Sequence, residues 1–91
     1  MIRRTRLTEA RLQVKKIKQL EKLGYYVIKM SKTNKNGIPD LIAIPKGAPV
    51  LFVEIKGPQG FTNKLQKYRH LELAHYGFKV EIYNGYDDEG K

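Results

Sequence analysis

The sequence predicts an α/β domain whose elements run α-β-β-β-α-β. Two patterns carry that expectation. Apolar residues recur at helical spacing near the start and again, less cleanly, in the second half. Four short runs rich in β-branched and aromatic residues lie between and after them, separated by Gly, Asn and Pro turn signals. With 91 residues the chain is expected to form one domain, 1–91, with no internal repeat and no separate linker. A domain of that size buries about two thirds of its unfolded surface, so a modest core is expected.

Residues 1–6, Met-Ile-Arg-Arg-Thr-Arg, read as a basic arm. Thr8 is placed as a helix N-cap, with Glu9 in the first turn where the helix dipole favours a carboxylate. Leu7, Ala10, Val14, Ile17 and Leu20 then recur at spacings of three and four, which predicts an amphipathic helix over 8–23 with Arg11, Lys15, Lys16 and Lys18 on its other sides. Gly24 is positioned to end it. Residues 25–30 are rich in β-formers and predict a first strand, followed by a polar loop at 31–37. Residues 39–45 and 50–56 predict the second and third strands, joined by a turn at 46–48. The turn at 57–60, Gly-Pro-Gln-Gly, has no phosphate-loop pattern. Thr62 is a candidate cap for a second helix reaching about Tyr76, with Gly77 as its stop. Residues 78–83 alternate apolar and polar as a last strand, and 84–91 read as a flexible tail.

The second and third strands are apolar at both parities. Leu41, Ala43, Leu51, Val53 and Ile55 would line one face, and Ile42, Ile44, Val50 and Phe52 the other. Such strands are covered on both sides. Two helices are few for that task, so a second subunit is expected over part of the sheet.

Charge narrows the partners. Lys and Arg total 18 against nine acids, a net charge of +9. Asp87, Asp88 and Glu89 sit together near Lys91, so residues 1–86 hold 17 bases and six acids. A positive field of that size favours a polyanion, with nucleic acid the leading candidate. The absence of cysteine excludes a disulfide framework and thiolate metal sites, and suits a reducing cytosol. No apolar run approaches the length of a membrane span, so a soluble, cytoplasmic protein with no membrane partner is expected.

The chemistry is expected where the two central strands meet. Side chains alternate along a strand, so Asp40, Ile42 and Ile44 share a face, as do Phe52, Glu54 and Lys56. An ordinary hairpin register that sets 44 near 50 also sets 40 near 54. Two of the six acids outside the tail would then lie side by side, with an ammonium close by. That repulsion is relieved by a divalent cation, which takes oxygen ligands and makes water acidic enough to attack a phosphodiester. Lys56 would orient that water or stabilise charge on the phosphate. The alternative is a structural ion pair at the sheet rim. A basic domain that holds DNA or RNA without cutting it is the second functional reading.

Gly37-Ile38-Pro39-Asp40, Val53-Glu54-Ile55-Lys56 and Gln66 in the following helix together resemble the PD-(D/E)XK nuclease superfamily, in particular its VRR-NUC branch. That branch includes small stand-alone viral proteins and the nuclease domain of the Fanconi-associated nuclease. Glu9, within Leu7-Thr8-Glu9-Ala10, also fits, and the resemblance spans roughly 7–83. It implies a restriction-endonuclease-like core, with a mixed four-stranded sheet flanked by helices, and a Mg²⁺- or Mn²⁺-dependent endonuclease. It makes Asp40 and Glu54 metal ligands, the backbone carbonyl of Ile55 a third ligand and Lys56 the catalytic lysine. Glu9 would lie near the metal, directly or through water, and Gln66 would support the site or contact phosphate. Without the resemblance, Glu9 is a carboxylate serving the helix dipole and Gln66 a solvated helix residue.

Stand-alone members of the branch look like homodimeric Holliday junction resolvases, whereas the Fanconi-associated form carries extra domains and cuts flaps. The present chain is more similar to the junction-resolving kind, and a viral source would place it in the host cytoplasm. Two-fold symmetry suits a four-way junction that needs two symmetric nicks. Arg3, Arg4, Arg6, Arg11, Lys32, Lys35 and Lys64 are candidate phosphate contacts, or else solvated basic surface. Six tyrosines could stack on unpaired bases, although Tyr25, Tyr26, Tyr68 and Tyr83 fit core or sheet positions better. His70 and His75 are five apart, do not share a helix face and receive no role.

Overall fold

The structure, a computed structural model, describes residues 8–57 and 60–85. The basic arm with Arg3, Arg4 and Arg6, and the tail from 86 onward, lie outside the described residues. The elements are α1 (Glu9–Lys22), β1 (Tyr26–Lys29), β2 (Leu41–Ile44), β3 (Leu51–Ile55), α2 (Lys64–His75) and β4 (Lys79–Tyr83), in the order expected.

The local signals act through ordinary hydrogen bonding. Thr8 caps α1, its hydroxyl accepting from Arg11 N at 3.2 Å. The helix closes with Tyr25 N donating to Leu20 O at 3.0 Å, and Gly24 takes the left-handed conformation (φ 99°) that lets the chain turn into β1. The cap of α2 is Asn63, not Thr62. Asn63 Oδ1 accepts from Gln66 N at 2.8 Å while Gln66 Oε1 accepts from Asn63 N at 3.1 Å. This reciprocal pair needs a spacing of three, which Asn63 has and Thr62 lacks.

The four strands form one sheet in the order β1-β2-β3-β4. The first three are successive antiparallel partners, whereas β4 returns through α2 to lie parallel to β3, making the sheet mixed. One face carries Leu41, Ala43, Val53, Ile55 and Tyr83, which pack with Leu12 and Leu20 of α1 as the buried core. On the other face Phe52 is buried and meets Phe78 edge to face, with ring centroids 5.8 Å apart. That second face leads to α2.

The apolar stripe of α1 is rotated from the one expected. Ala10 and Val14 are exposed, and the helix turns Leu12, Lys16, Ile17 and Leu20 inward. A lysine can occupy that face because its stem packs while its ammonium finds charge. Lys16 Nζ lies 2.7 Å from Glu81 Oε2 and 4.7 Å from the centre of the Tyr83 ring. Tyr68 is exposed, not core, because α2 as a whole buries none of its residues.

Candidate active site

The β2–β3 ladder pairs Leu41 with Val53 and Ile42 with Phe52. One step further along the same register sets Asp40 opposite Glu54. Residues directly opposite share a face, so both carboxylates lie on the face that leads to α2.

Asp40 is held at both ends. Its carbonyl accepts from Met30 N at 2.8 Å, which ties it to the end of β1. Its side-chain Oδ2 accepts from Ile55 N at 2.8 Å, which ties it to the end of β3. In a strand the N–H and C=O of one residue point to the same side. The Ile55 carbonyl therefore faces the same edge as the Asp40 carboxylate.

Glu54 is 2% exposed, the only buried charged residue among those described. Three side chains surround its oxygens. Gln66 Nε2 donates to Oε2 at 3.2 Å, Lys56 Nζ lies 3.7 Å from the same oxygen, and His70 Nε2 lies 3.4 Å from Oε1. Burial, followed by the charge of Asp40, raises the Glu54 carboxyl to about 7, and Lys56 only partly offsets this. Burial first and the Lys56 ammonium second hold the His70 imidazole below its ordinary value, so it is neutral at neutral pH.

Lys56 leaves the end of β3 with its backbone N donating to Tyr83 O at 2.9 Å. Its ammonium donates to Gln66 Oε1 at 2.7 Å. Gln66 thus receives Lys56 and the Asn63 amide on one atom and donates to Glu54 from the other. The residue that closes the capping box also joins the acid to the lysine. Glu9 approaches from α1 and accepts from Gly57 N at 3.2 Å, one residue beyond Lys56. It borders the acid–lysine cluster without entering it.

The loop before Asp40 is clamped against α2. Gly37 has φ 81°, and a Cβ there would lie 2.7 Å from Leu65 Cγ, so only glycine allows this approach. Arg69 Nε donates to Asn36 O at 2.8 Å. Lys32 and Lys35 line a polar pocket of about 260 Å³ on this loop. Lys64 is exposed at the start of α2, and Arg11 is exposed in the first turns of α1.

Hard-oxygen donors are what the site offers a cation. Among the described residues no three His, Asp or Glu side chains are grouped to hold a metal. Two carboxylates and one carbonyl leave about half of an octahedral coordination shell to water, which suits Mg²⁺. The raised Glu54 carboxyl points the same way, because a cation between Asp40 and Glu54 would relieve the repulsion that raises it. The donor set therefore fits a divalent metal.

A mixed sheet of this topology, with two acids and a lysine at the end of its central hairpin, defines a nuclease-like α/β domain. A solved structure described as a VRR_NUC domain is similar to this chain, with 27% sequence identity, a TM-score of 0.77 and coverage of 88% of this chain and 87% of that one. That likeness in fold and sequence supports a place for the chain among the VRR-NUC domains. No protein-family model and no curated protein matches it.

Sequence reasoning brought Asp40, Glu54 and Lys56 together but gave His70 no part. The signal was present, because Gln66 and His70 are four apart and so lie on one helix face.

Proposed function

We propose that the chain is a Mg²⁺- or Mn²⁺-dependent endonuclease acting on branched DNA, and that it resolves Holliday junctions as a homodimer in the cytoplasm. The observation that carries this reading is the β2–β3 register, which sets Asp40 opposite Glu54 with Lys56 one turn of the strand pleat further on. The likeness to a VRR_NUC domain and a net charge of +9 support it.

In this reading Asp40, Glu54 and the Ile55 carbonyl hold the cation. When bound, that cation supplies an acidified water and positive charge beside the phosphodiester. Asp40 is kept in place by the bonds it accepts from Ile55 N and Met30 N, so little reorganisation is needed when the ligand arrives. Lys56 places its ammonium beside the scissile phosphate, where charge builds up in the transition state. Gln66 holds that ammonium at 2.7 Å and so fixes its direction. Glu9 takes its place at the margin, within reach of the cluster through water. Arg11, Lys32, Lys35 and Lys64, with Arg3, Arg4 and Arg6 of the arm, supply the phosphate-binding surface.

Homodimer formation is supported by an apolar strip on the sheet face away from α1. Tyr26 and Ile28 of β1 are 71% and 42% exposed and are paired with Ile44 and Ile42 of β2. A second copy of the chain is the occupant that two-fold symmetry and a two-nick reaction favour. Among the described residues no helix is long and apolar enough to cross a membrane.

The test is incubation of the purified chain with a labelled four-way junction and a matched linear duplex, with and without Mg²⁺ or Mn²⁺. Cleavage should require the metal and prefer the junction. Asp40→Asn and Lys56→Ala should each lower the rate by more than about 100-fold while junction binding persists. Binding of the junction without cutting in any metal would instead support a non-catalytic nucleic-acid-binding module. Sedimentation showing only monomer at micromolar concentration would remove the dimer.

A further inference from the structure

We propose that His70 is a positioning residue for Glu54. Its Nε2–H donates to Oε1 and, together with the Gln66 amide on Oε2, sets the plane in which the carboxylate meets a cation shared with Asp40. This rests on the metal-dependent reading above.

The argument begins with burial. A carboxylate as enclosed as that of Glu54 has little access to water, so the groups around it decide its orientation. Gln66 and His70 are one helical turn apart on α2 and address different oxygens, at 3.2 and 3.4 Å. Two donors on two oxygens fix rotation about the last side-chain bond, which a single donor leaves open. The His70 contact, at 3.4 Å, is longer than an ordinary N–H···O bond, so Oε1 keeps a lone pair open to a second partner. A neutral imidazole carries one N–H, and a facing carboxylate selects the tautomer with that hydrogen on Nε2. Outer partners of this kind orient metal ligands, and their loss costs about 10- to 100-fold in metal affinity or activity.

Three measurements on the full chain test it. Nitrogen NMR of the imidazoles in metal-free protein near pH 7.5 should show His70 protonated at Nε2 and bare at Nδ1. Calorimetric titration with Mn²⁺ should show His70→Leu binding about 10- to 100-fold more weakly than wild type. His70→Gln, whose amide nitrogen reaches the Nε2 position, should recover most of that loss, whereas the shorter His70→Asn should not. In cleavage assays His70→Leu should raise the Mn²⁺ concentration needed for half-maximal rate with little change in the KM for junction.

The inference is overturned by an Nδ1–H tautomer, or by a folded His70→Leu that binds Mn²⁺ as wild type does. If His70→Leu does not fold, the tautomer and the Gln-versus-Asn contrast decide. A wild-type chain that takes up no Mn²⁺ strikes the metal-dependent reading itself. Normal wild-type uptake with no effect at position 70 strikes only this inference.

Discussion

Glu54→Gln in metal-free protein isolates the electrostatic tension at the site. The Glu54 carboxyl is raised from 4.5 to about 7. Below pH 4.5 both folded and unfolded chains hold the proton, so the group's stabilising contribution is fully present. Between 4.5 and about 7 only the folded chain holds it, and stability is lost as pH rises through that window. At about 1.4 kcal/mol per unit, ionising Glu54 costs the fold on the order of 3 kcal/mol by pH 8. Glutamine keeps the shape and removes that cost, but its amide satisfies His70 and Gln66 less well. A net gain of about 2 kcal/mol remains, roughly 10 °C in Tm for a domain of this size. Thermal melts monitored by circular dichroism in EDTA should show the variant more stable at pH 8 and less stable than wild type, by about 1 kcal/mol, at pH 4.5. Added Mn²⁺ should raise the wild-type Tm and leave the variant unmoved. A variant equal to or less stable than wild type at pH 8 in EDTA would refute the claim that Glu54 is held under repulsion and desolvation.

Other perturbations have equally definite outcomes. Gly37→Ala forces a side chain into the left-handed region and against Leu65 at 2.7 Å; urea unfolding should show a loss of about 1–3 kcal/mol, and unchanged stability would count against the clamp between loop and helix. Asn63→Ala removes the acceptor for Gln66 N and should cost about 1 kcal/mol, with a fall in cleavage rate because Gln66 also holds Lys56. Junction affinity should fall steeply with salt as released counterions lose their advantage, and a flat response would argue against the basic surface as the platform.

Much of this was legible from spacing. The helix and strand order followed from periodicity, and the facing of Asp40 and Glu54 followed from strand parity plus one assumed turn. Both depend on short-range geometry that a sequence records directly. What was not legible depended on packing. The inward face of α1 includes Lys16, whose ammonium is accommodated only because Glu81 and Tyr83 of a distant strand receive it. Periodicity counts lysine as outward, so the stripe was read at the wrong angle. The cap at Asn63 was a local signal passed over, because threonine one position earlier looked equally suitable. His70 was set aside because it was weighed against His75 instead of Gln66. Its significance depends on how closely α2 approaches β3, which no local pattern states.

The second helix lacks a buried side chain of its own. Beside its packing on β4 and the contact of Leu65 with Gly37, it is tied down by bonds around the acids: Gln66 to Lys56 and Glu54, His70 to Glu54, Arg69 to the loop before Asp40. Seating of the helix and assembly of the site are then coupled. Ion uptake by the acids should tighten the helix, and slackening of the helix should dismantle the centre. If the site cuts as proposed, its activity would serve as a gauge of how firmly one helix is seated.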